Sequence, residues 1–269
     1  MPVTACPSDG ALPLPDMAES YDAYFSSGLY QSRYPRPNRR TMRFLRAALP
    51  VGGRLLDYGA GEGRYCLALA REREAEIVAV DISPVARNHL TATVAEAGLA
   101  DRIAVVDASG TEYRRLVDGS GRFDAVLLGF GVLGHVAGRA NRLALLNELR
   151  GNLAPGGRLV LGLPNARRRF RAAQAEAAAF PGLEPGDIRY NRDAGNDTIA
   201  LFYHLYRREE IVAELAEAGF AIEHLTSESV LPEYAVTHRA LIGWIDDRLS
   251  GILPADWSYG YLVVAVARR

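Results

Sequence analysis

Cysteine is nearly absent from the 269 residues: only Cys6 and Cys66 occur. One lies in a Pro-rich start and the other in a predicted helix, so no disulfide framework and no cysteine metal site is expected. A reducing cytoplasm fits that usage. Net charge is nearly absent too, with 31 Lys and Arg against 32 Asp and Glu, a formal balance of -1. No general attraction to nucleic acid or to an anionic membrane is therefore built in. Every hydrophobic run is broken by Gly, Pro or charge well short of the roughly 20 residues that cross a bilayer. Residues 1–16 lack the basic start and apolar run of a secretory signal and read as a disordered leader. Repeats, low-complexity tracts and His, Cys or carboxylate clusters with ligand spacing are missing as well, so no metal is expected.

What is present is the makings of a large core, since 49% of the residues are hydrophobic and 23% charged. Short apolar runs at Leu55–Tyr58, Ile77–Val80, Ile103–Val106, Ala125–Leu128 and Arg158–Leu163 alternate with segments of helical spacing at Arg64–Glu74, Pro84–Ala97 and Asn141–Leu153. Such alternation predicts a parallel sheet with crossover helices, and ligands bind such sheets at the carboxyl ends of the strands. A helical preface precedes it, Thr41–Leu49 being its last helix. After Asn165 the rhythm breaks into a basic, Ala-rich helix and a predicted hairpin, Ile188–Arg192 with Thr198–Tyr206, turning at Gly195–Asn196. A helix at Glu209–Ala218, a strand at Ala221–Thr226, a small insertion near Val236–Leu249 and a last strand at Tyr261–Ala267 complete the pattern.

The strongest motif is Leu55-Leu56-Asp57-Tyr58-Gly59-Ala60-Gly61-Glu62-Gly63-Arg64-Tyr65, a strand entering a glycine-rich turn that opens a helix. Glycine removes side chains where backbone must approach a ligand and tolerates positive φ. A dinucleotide-binding turn would need Gly or Ala where Arg64 stands. Further along, Val80-Asp81-Ile82-Ser83 closes the second strand with an acid, about 20 residues past the glycines, where a carboxylate can accept both ribose hydroxyls. Val105-Val106-Asp107-Ala108, Phe123-Asp124-Ala125 through Leu133-Gly134-His135, and Leu153-Ala154-Pro155-Gly156-Gly157-Arg158 follow in order.

From about Leu55 to Leu163 this series resembles the motifs of the class I S-adenosylmethionine (SAM)-dependent methyltransferases. The resemblance implies an α/β fold, a Rossmann-like, mixed but mostly parallel seven-stranded sheet with helices on both faces and a cap inserted after strand 5. It divides the chain into the leader (1–16), an N-terminal helical lid (17–50), the SAM-binding core (51–164), the cap (165–206) and the rest of the core (207–269). Cofactor contacts are implied at Asp57, Gly59, Ala60, Gly61, Asp81, Ile82, Asp107, Ala108, Gly129 and Phe130, with Tyr30 and Arg33 contributed by the lid. Tyr34, Gly131 and Tyr203 are candidates for the acceptor, and His135 and His204 for a general base; for both histidines plain packing is the competing reading. Tyr24 and Phe25 are read as packing residues, and Arg167-Arg168-Arg169-Phe170-Arg171 as a solvated basic helix face.

The resemblance implies methyl transfer from SAM, with S-adenosylhomocysteine (SAH) as product, to an oxygen or nitrogen atom of a small molecule. Two alternatives stand beside it. The stretch from Gly186-Asp187 to Phe202-Tyr203-His204-Leu205-Tyr206 is loosely similar to wobble-uridine tRNA methyltransferases, although the neutral charge disfavours an RNA partner, and a non-catalytic SAM-binding protein would carry the same motifs. Neither the acceptor nor the oligomeric state is encoded in a recognisable pattern, and no membrane partner is expected.

Overall fold

A computed structural model describes residues 14–268 except 120, 179, 181, 195 and 196. Most of the expected leader, with Cys6, and the Gly195–Asn196 turn lie outside the described residues. Three helices come first: α1 (Met17–Ser26), α2 (Leu29–Arg33) and α3 (Arg39–Ala48). Asp16 accepts from the Ala18 and Glu19 amides, so it is the N-cap of α1 rather than part of a leader. Strands and helices then alternate through β1 (Arg54–Tyr58), α4 (Cys66–Arg73), β2 (Glu76–Asp81), α5 (Pro84–Glu96), β3 (Ile103–Asp107), α6 (Thr111–Gly119), β4 (Phe123–Leu128), α7 (Arg139–Asn152) and β5 (Leu153–Pro164). The remainder comprises α8 (Arg171–Ala177), β6 (Asp187–Ala194), β7 (Asp197–His204), α9 (Arg208–Glu217), β8 (Phe220–Ser229), α10 (Glu233–His238), α11 (Ala240–Ser250) and β9 (Gly260–Ala267).

Seven strands form one sheet in the order β3-β2-β1-β4-β5-β9-β8. The first five are parallel and β9 runs antiparallel between β5 and β8. Consecutive apolar residues on a strand face opposite ways, and here both faces are covered. Leu56, Val78 and Val126 pack with Leu145, Leu146 and Leu149 of α7 and with Ile211 and Leu215 of α9. Leu55, Ile77 and Leu127 pack on the other face with Leu45 of α3, Leu69 of α4 and Leu90 of α5. Each such buried leucine or isoleucine contributes ~2 kcal/mol, which is why these strands are apolar at successive positions.

Several boundaries differ from the sequence reading. Helix α4 begins at Cys66 rather than Arg64, because Gly61 and Gly63 have positive φ and the chain is still turning there. Helix α6 was not expected, although Tyr113, Leu116 and Val117 fall at helical spacing and pack against the core. Strand β5 begins at Leu153, where a helix-to-turn passage was expected, and Val236–Leu249 holds the two helices α10 and α11. In the separate two-stranded sheet Ile188 pairs with Tyr203, but β7 stops at His204 and Tyr206 instead bridges to Asn165.

Candidate active site

The loops after β1, β2, β3 and β4 open onto one cavity. Its floor is built by the glycine-rich turn. The Gly59 and Ala60 amides donate to the Val80 carbonyl at 2.7 and 2.9 Å, tying the turn to the end of β2. Gly59 has φ +79°, and a Cβ there would collide with Val132. Gly63 has φ +87°, and a Cβ there would collide with Leu90 of α5, so this third glycine serves helix packing.

Asp81 stands at the tip of β2 in the cavity wall. One carboxylate oxygen accepts from the Gly61 amide at 2.7 Å and the other from the Ser83 amide at 2.9 Å. Burial raises the carboxyl pKa against the opposing pull of those two amides. Ser83 caps α5 through the Ala86 amide, which leaves Asp81 free of that task. Ile82, Ala108, Gly129, Phe130, Gly59, Gly61 and Tyr30 complete the expected cofactor residues that line this cavity.

Helices α1 and α2 form the opposite wall, with Met17, Tyr21, Phe25 and Tyr30. Met17, Tyr21 and Phe25 are spaced by four residues along one face of α1, a stripe that the sequence did contain. Phe25, read there as a packing residue, lines the cavity, whereas Tyr24 packs with Ile199 and Leu201. Helix α1 is held in place by Asp22, which accepts from Ser83 Oγ, and by Ser20 Oγ, which donates to the Ala200 carbonyl at 2.7 Å.

Other expected residues are placed elsewhere. Asp57 lies beneath the turn, 2% exposed and outside the cavity lining; burial and the nearby Asp81 charge push its pKa up to about 7. Ala60 is buried in the turn and does not line the cavity either. Asp107 sits at the rim, where Ser109 and Arg87 occupy its carboxylate at 2.6–2.7 Å and hold its pKa low. Arg33 points away to the rings of Tyr34 and Tyr234. The cation near Phe130 is Arg64, 4.3 Å from the ring centroid, with a 6% exposed side chain and no hydrogen-bond partner on any guanidinium nitrogen.

The two histidines separate. His135 lines the cavity; its Nδ1 lies 2.8 Å from the Phe202 carbonyl and its Nε2 2.7 Å from Tyr21 Oη. Nδ1 must carry the proton, so Nε2 accepts from the tyrosine. Burial lowers the pKa to about 4, which makes the ring a weak base at neutral pH. His204 is fully buried away from the cavity, with Nδ1 2.7 Å from Asp187 and Nε2 2.8 Å from Glu210. Burial lowers its pKa, yet the two carboxylate hydrogen bonds outweigh that and raise it. Both nitrogens being occupied, His204 is a strut rather than a base facing the cleft. The same tertiary contact brings Glu184 within 4.8 Å of Asp187 and His204, a grouping that spacing along the chain did not disclose. Arg142 already holds Glu184 at 3.1 Å and Glu214 at 2.8 Å.

Gly131 and Tyr203, expected near the acceptor, line a second, smaller cavity. Phe130 lines both cavities, and Tyr34 packs on Phe130 at 4.4 Å without lining either one. Tyr203 stacks on His135, ring centroids 4.3 Å apart and planes 9° apart. Glu228, Glu233, Arg169 and Tyr259 also line the smaller cavity, and no contiguous motif had marked them. The basic run divides: Arg167 and Arg171 line a surface hollow while Arg169 turns inward over Tyr203 and Tyr259.

A family model for a methyltransferase domain matches residues 30–225, nearly three quarters of the chain. The chain belongs to the class I SAM-dependent methyltransferases. Over 122 residues it is 37% identical to a dimethylglycine N-methyltransferase of Parasynechococcus marenigrum, covering 44% of this chain and 40% of that protein. The chain thus spans well under two thirds of the curated relative it matches. In fold it is similar to the CcbJ methyltransferase from Streptomyces caelestis, with a TM-score of 0.61 at 18% identity over 94% of this chain and 97% of the other. It is also similar to the glycopeptide N-methyltransferase MtfA solved with SAM, with a TM-score of 0.55 at 19% identity over 87% and 88% of the two chains. The cavity lining combines glycines of the turn, the Asp81 carboxylate and the rings of Phe25, Tyr30 and Phe130.

Proposed function

We propose that this methyltransferase transfers the methyl group of SAM to an oxygen or nitrogen atom of a small-molecule acceptor. The observation that carries the reading is the convergence of Gly59, Gly61, Asp81, Ile82, Ala108 and Phe130 on one cavity at the strand tips. In it, Asp81 accepts the ribose hydroxyls, Ile82 and Ala108 flank the adenine, and the turn at Gly59 and Gly61 lets the backbone approach the aminoacyl portion. Tyr30, Phe25 and Phe130 stand by the sulfonium. Bound SAM supplies an electrophilic methyl group.

The protein's own contribution is placement and exclusion of water. Helix α1 covers the cavity, and its Tyr21–His135 hydrogen bond joins it to the loop after β4. His135 positions that loop and Tyr203; it is not assigned the role of base. The names of two relatives, a dimethylglycine and a glycopeptide N-methyltransferase, favour nitrogen over oxygen. Calorimetric titration with SAM, SAH and NAD tests the cofactor assignment. Micromolar binding of the two sulfur nucleotides without NAD is expected, and binding of NAD alone would overturn it.

A further inference from the structure

The smaller cavity lies across Phe130 from the cofactor cavity, at the tips of β5, β8 and β9, where Pro164, Ser229 and Gly260 stand. Its lining includes two buried carboxylates, Glu228 and Glu233, 6% and 8% exposed. Burying a carboxylate is costly unless partners replace water. The chain makes room for this one: a Cβ on Gly162 would sit 2.8 Å from Glu228 Oε1, and one on Gly260 would sit 3.1 Å from its Oε2. Thr41 Oγ1 donates to Glu228 Oε1 at 2.8 Å, and Asn38 Nδ2 donates to Glu233 Oε2 at 3.1 Å. Glu233 Oε1 has no hydrogen-bond donor; the nearest cation, Arg64, stays 3.8 Å away. A buried acceptor atom without a donor, beside a cavity, calls for an N–H from a ligand.

We propose that this chamber receives the methyl acceptor as an amine, its ammonium held between Glu228, Glu233 and the rings of Phe130, Tyr203 and Tyr259, with Glu228 taking the proton that must leave nitrogen before methylation. The proposal rests on the methyl-transfer reading above and names its acceptor class. Aromatic faces attract ammonium ions, and desolvated carboxylates beside them add charge and hydrogen bonds. Phe130 lines both cavities, so the chamber adjoins the cofactor cavity across that ring.

The step balances. One ammonium N–H proton passes to the Glu228 carboxylate, and the freed nitrogen lone pair forms the bond to the methyl carbon. The carbon–sulfur bond breaks, its electron pair stays on sulfur, and the positive charge passes from the sulfonium to the methylated ammonium. Glu228 then returns its proton to solvent as product leaves. Burial and the adjacent Glu233 push the Glu228 pKa up to about 8, toward the range of an ammonium donor. The groups facing Glu228 are Glu233 from α10, Thr41 from α3, Arg64 and Tyr65 after the glycine turn, Arg169, and Tyr203 from β7.

The test compares matched probes by ligand-observed NMR with and without saturating SAH: N,N-dimethylglycine against 3-methylbutanoate, and benzylamine against benzyl alcohol. Each pair keeps shape and exchanges the amine nitrogen. The wild-type protein should bind each amine at least tenfold more tightly than its partner. Glu228→Gln and Glu233→Gln should each erase most of that preference while SAH affinity stays within twofold, which also certifies that the variants fold. In methylation of whichever amine turns over, Glu228→Gln should flatten the pH dependence of kcat/KM between pH 7 and 9, a response that a purely structural role does not produce. Equal binding of amine and partner, or a preference that survives both substitutions, overturns the proposal. Amine preference without SAH binding would instead sink the cofactor assignment and leave the chamber standing.

Discussion

His135 and His204 both meet β7, the first from the loop after β4 by donating Nδ1–H to the Phe202 carbonyl and the second as the last residue of the strand, yet their surroundings are opposite. Around His135 the wall is aromatic and the ring is neutral, its pKa driven down by burial. Around His204, Asp187 and Glu210 bind both nitrogens, and Arg142 joins Glu184, Glu210 and Glu214 beside them. The first region faces a cavity, and its histidine is held by neutral partners, the Phe202 carbonyl and the Tyr21 hydroxyl. The second is a closed charge network that fastens β6 and β7 to α7 and α9. Identical side chains thus line a cavity in one place and sit in a closed charge network in the other, and only the neighbours decide which.

That contrast can be broken by substitution. The largest effect is expected from His204→Ala, which strips buried carboxylates of their partner and should cost roughly 3–5 kcal/mol of folding stability. Denaturant unfolding measures it, and SAM affinity of the folded variant should stay within a few-fold. A loss of SAM affinity without a loss of stability would reverse the assignment. The sign with pH follows from the raised pKa: the histidine's contribution is full below its unfolded value near 6.5 and declines as pH rises through the folded value. The wild-type advantage over His204→Ala should therefore shrink on the alkaline side.

Asp81→Ala belongs to the other region and should weaken SAM binding about a hundredfold, ~3 kcal/mol, by removing the ribose acceptor and leaving two amides unsatisfied. Calorimetry reads this directly, and unchanged affinity would refute the ribose assignment. Gly59→Ala should cost about 1–2 kcal/mol of stability, because its φ of +79° strains any other residue and its Cβ meets Val132. Adding Val132→Ala should recover the collision but not the strain. Full recovery would mean that the conformation carries no cost.

The smallest effect is expected from Tyr21→Phe, about 1 kcal/mol of stability, since one hydrogen bond to His135 is lost while the aromatic contact stays. Its turnover should fall less than tenfold; abolished turnover would put proton transfer back on the Tyr21–His135 pair. The pH sign is opposite to that of His204. With its pKa depressed, His135 contributes fully above about 6.5 and loses its contribution as pH falls toward about 4. Thermal unfolding of His135→Gln against wild type over that window should show the gap closing on acidification.

Local pattern alone carried much of the cofactor half of the molecule. The strand β1, the turn from Gly59 to Gly63, the acid at the tip of β2 and the alternation of strands with helices are contiguous, because backbone approach and strand-end placement are local demands. The stripe Met17, Tyr21 and Phe25 was equally contiguous, but an amphipathic face has the same spacing whether it covers a core or a cavity. Tertiary structure decided the rest. Asp57, Asp107 and Arg33 have the right chemistry in the right motifs, yet burial, Arg87 and the Tyr34–Tyr234 rings claim them. The chamber of Arg169, Glu228, Glu233 and Tyr259 is drawn from segments far apart in the chain. Its members are adjacent only because β9 enters the sheet antiparallel between β5 and β8, and long-range adjacency of that kind leaves no periodic signal along the sequence.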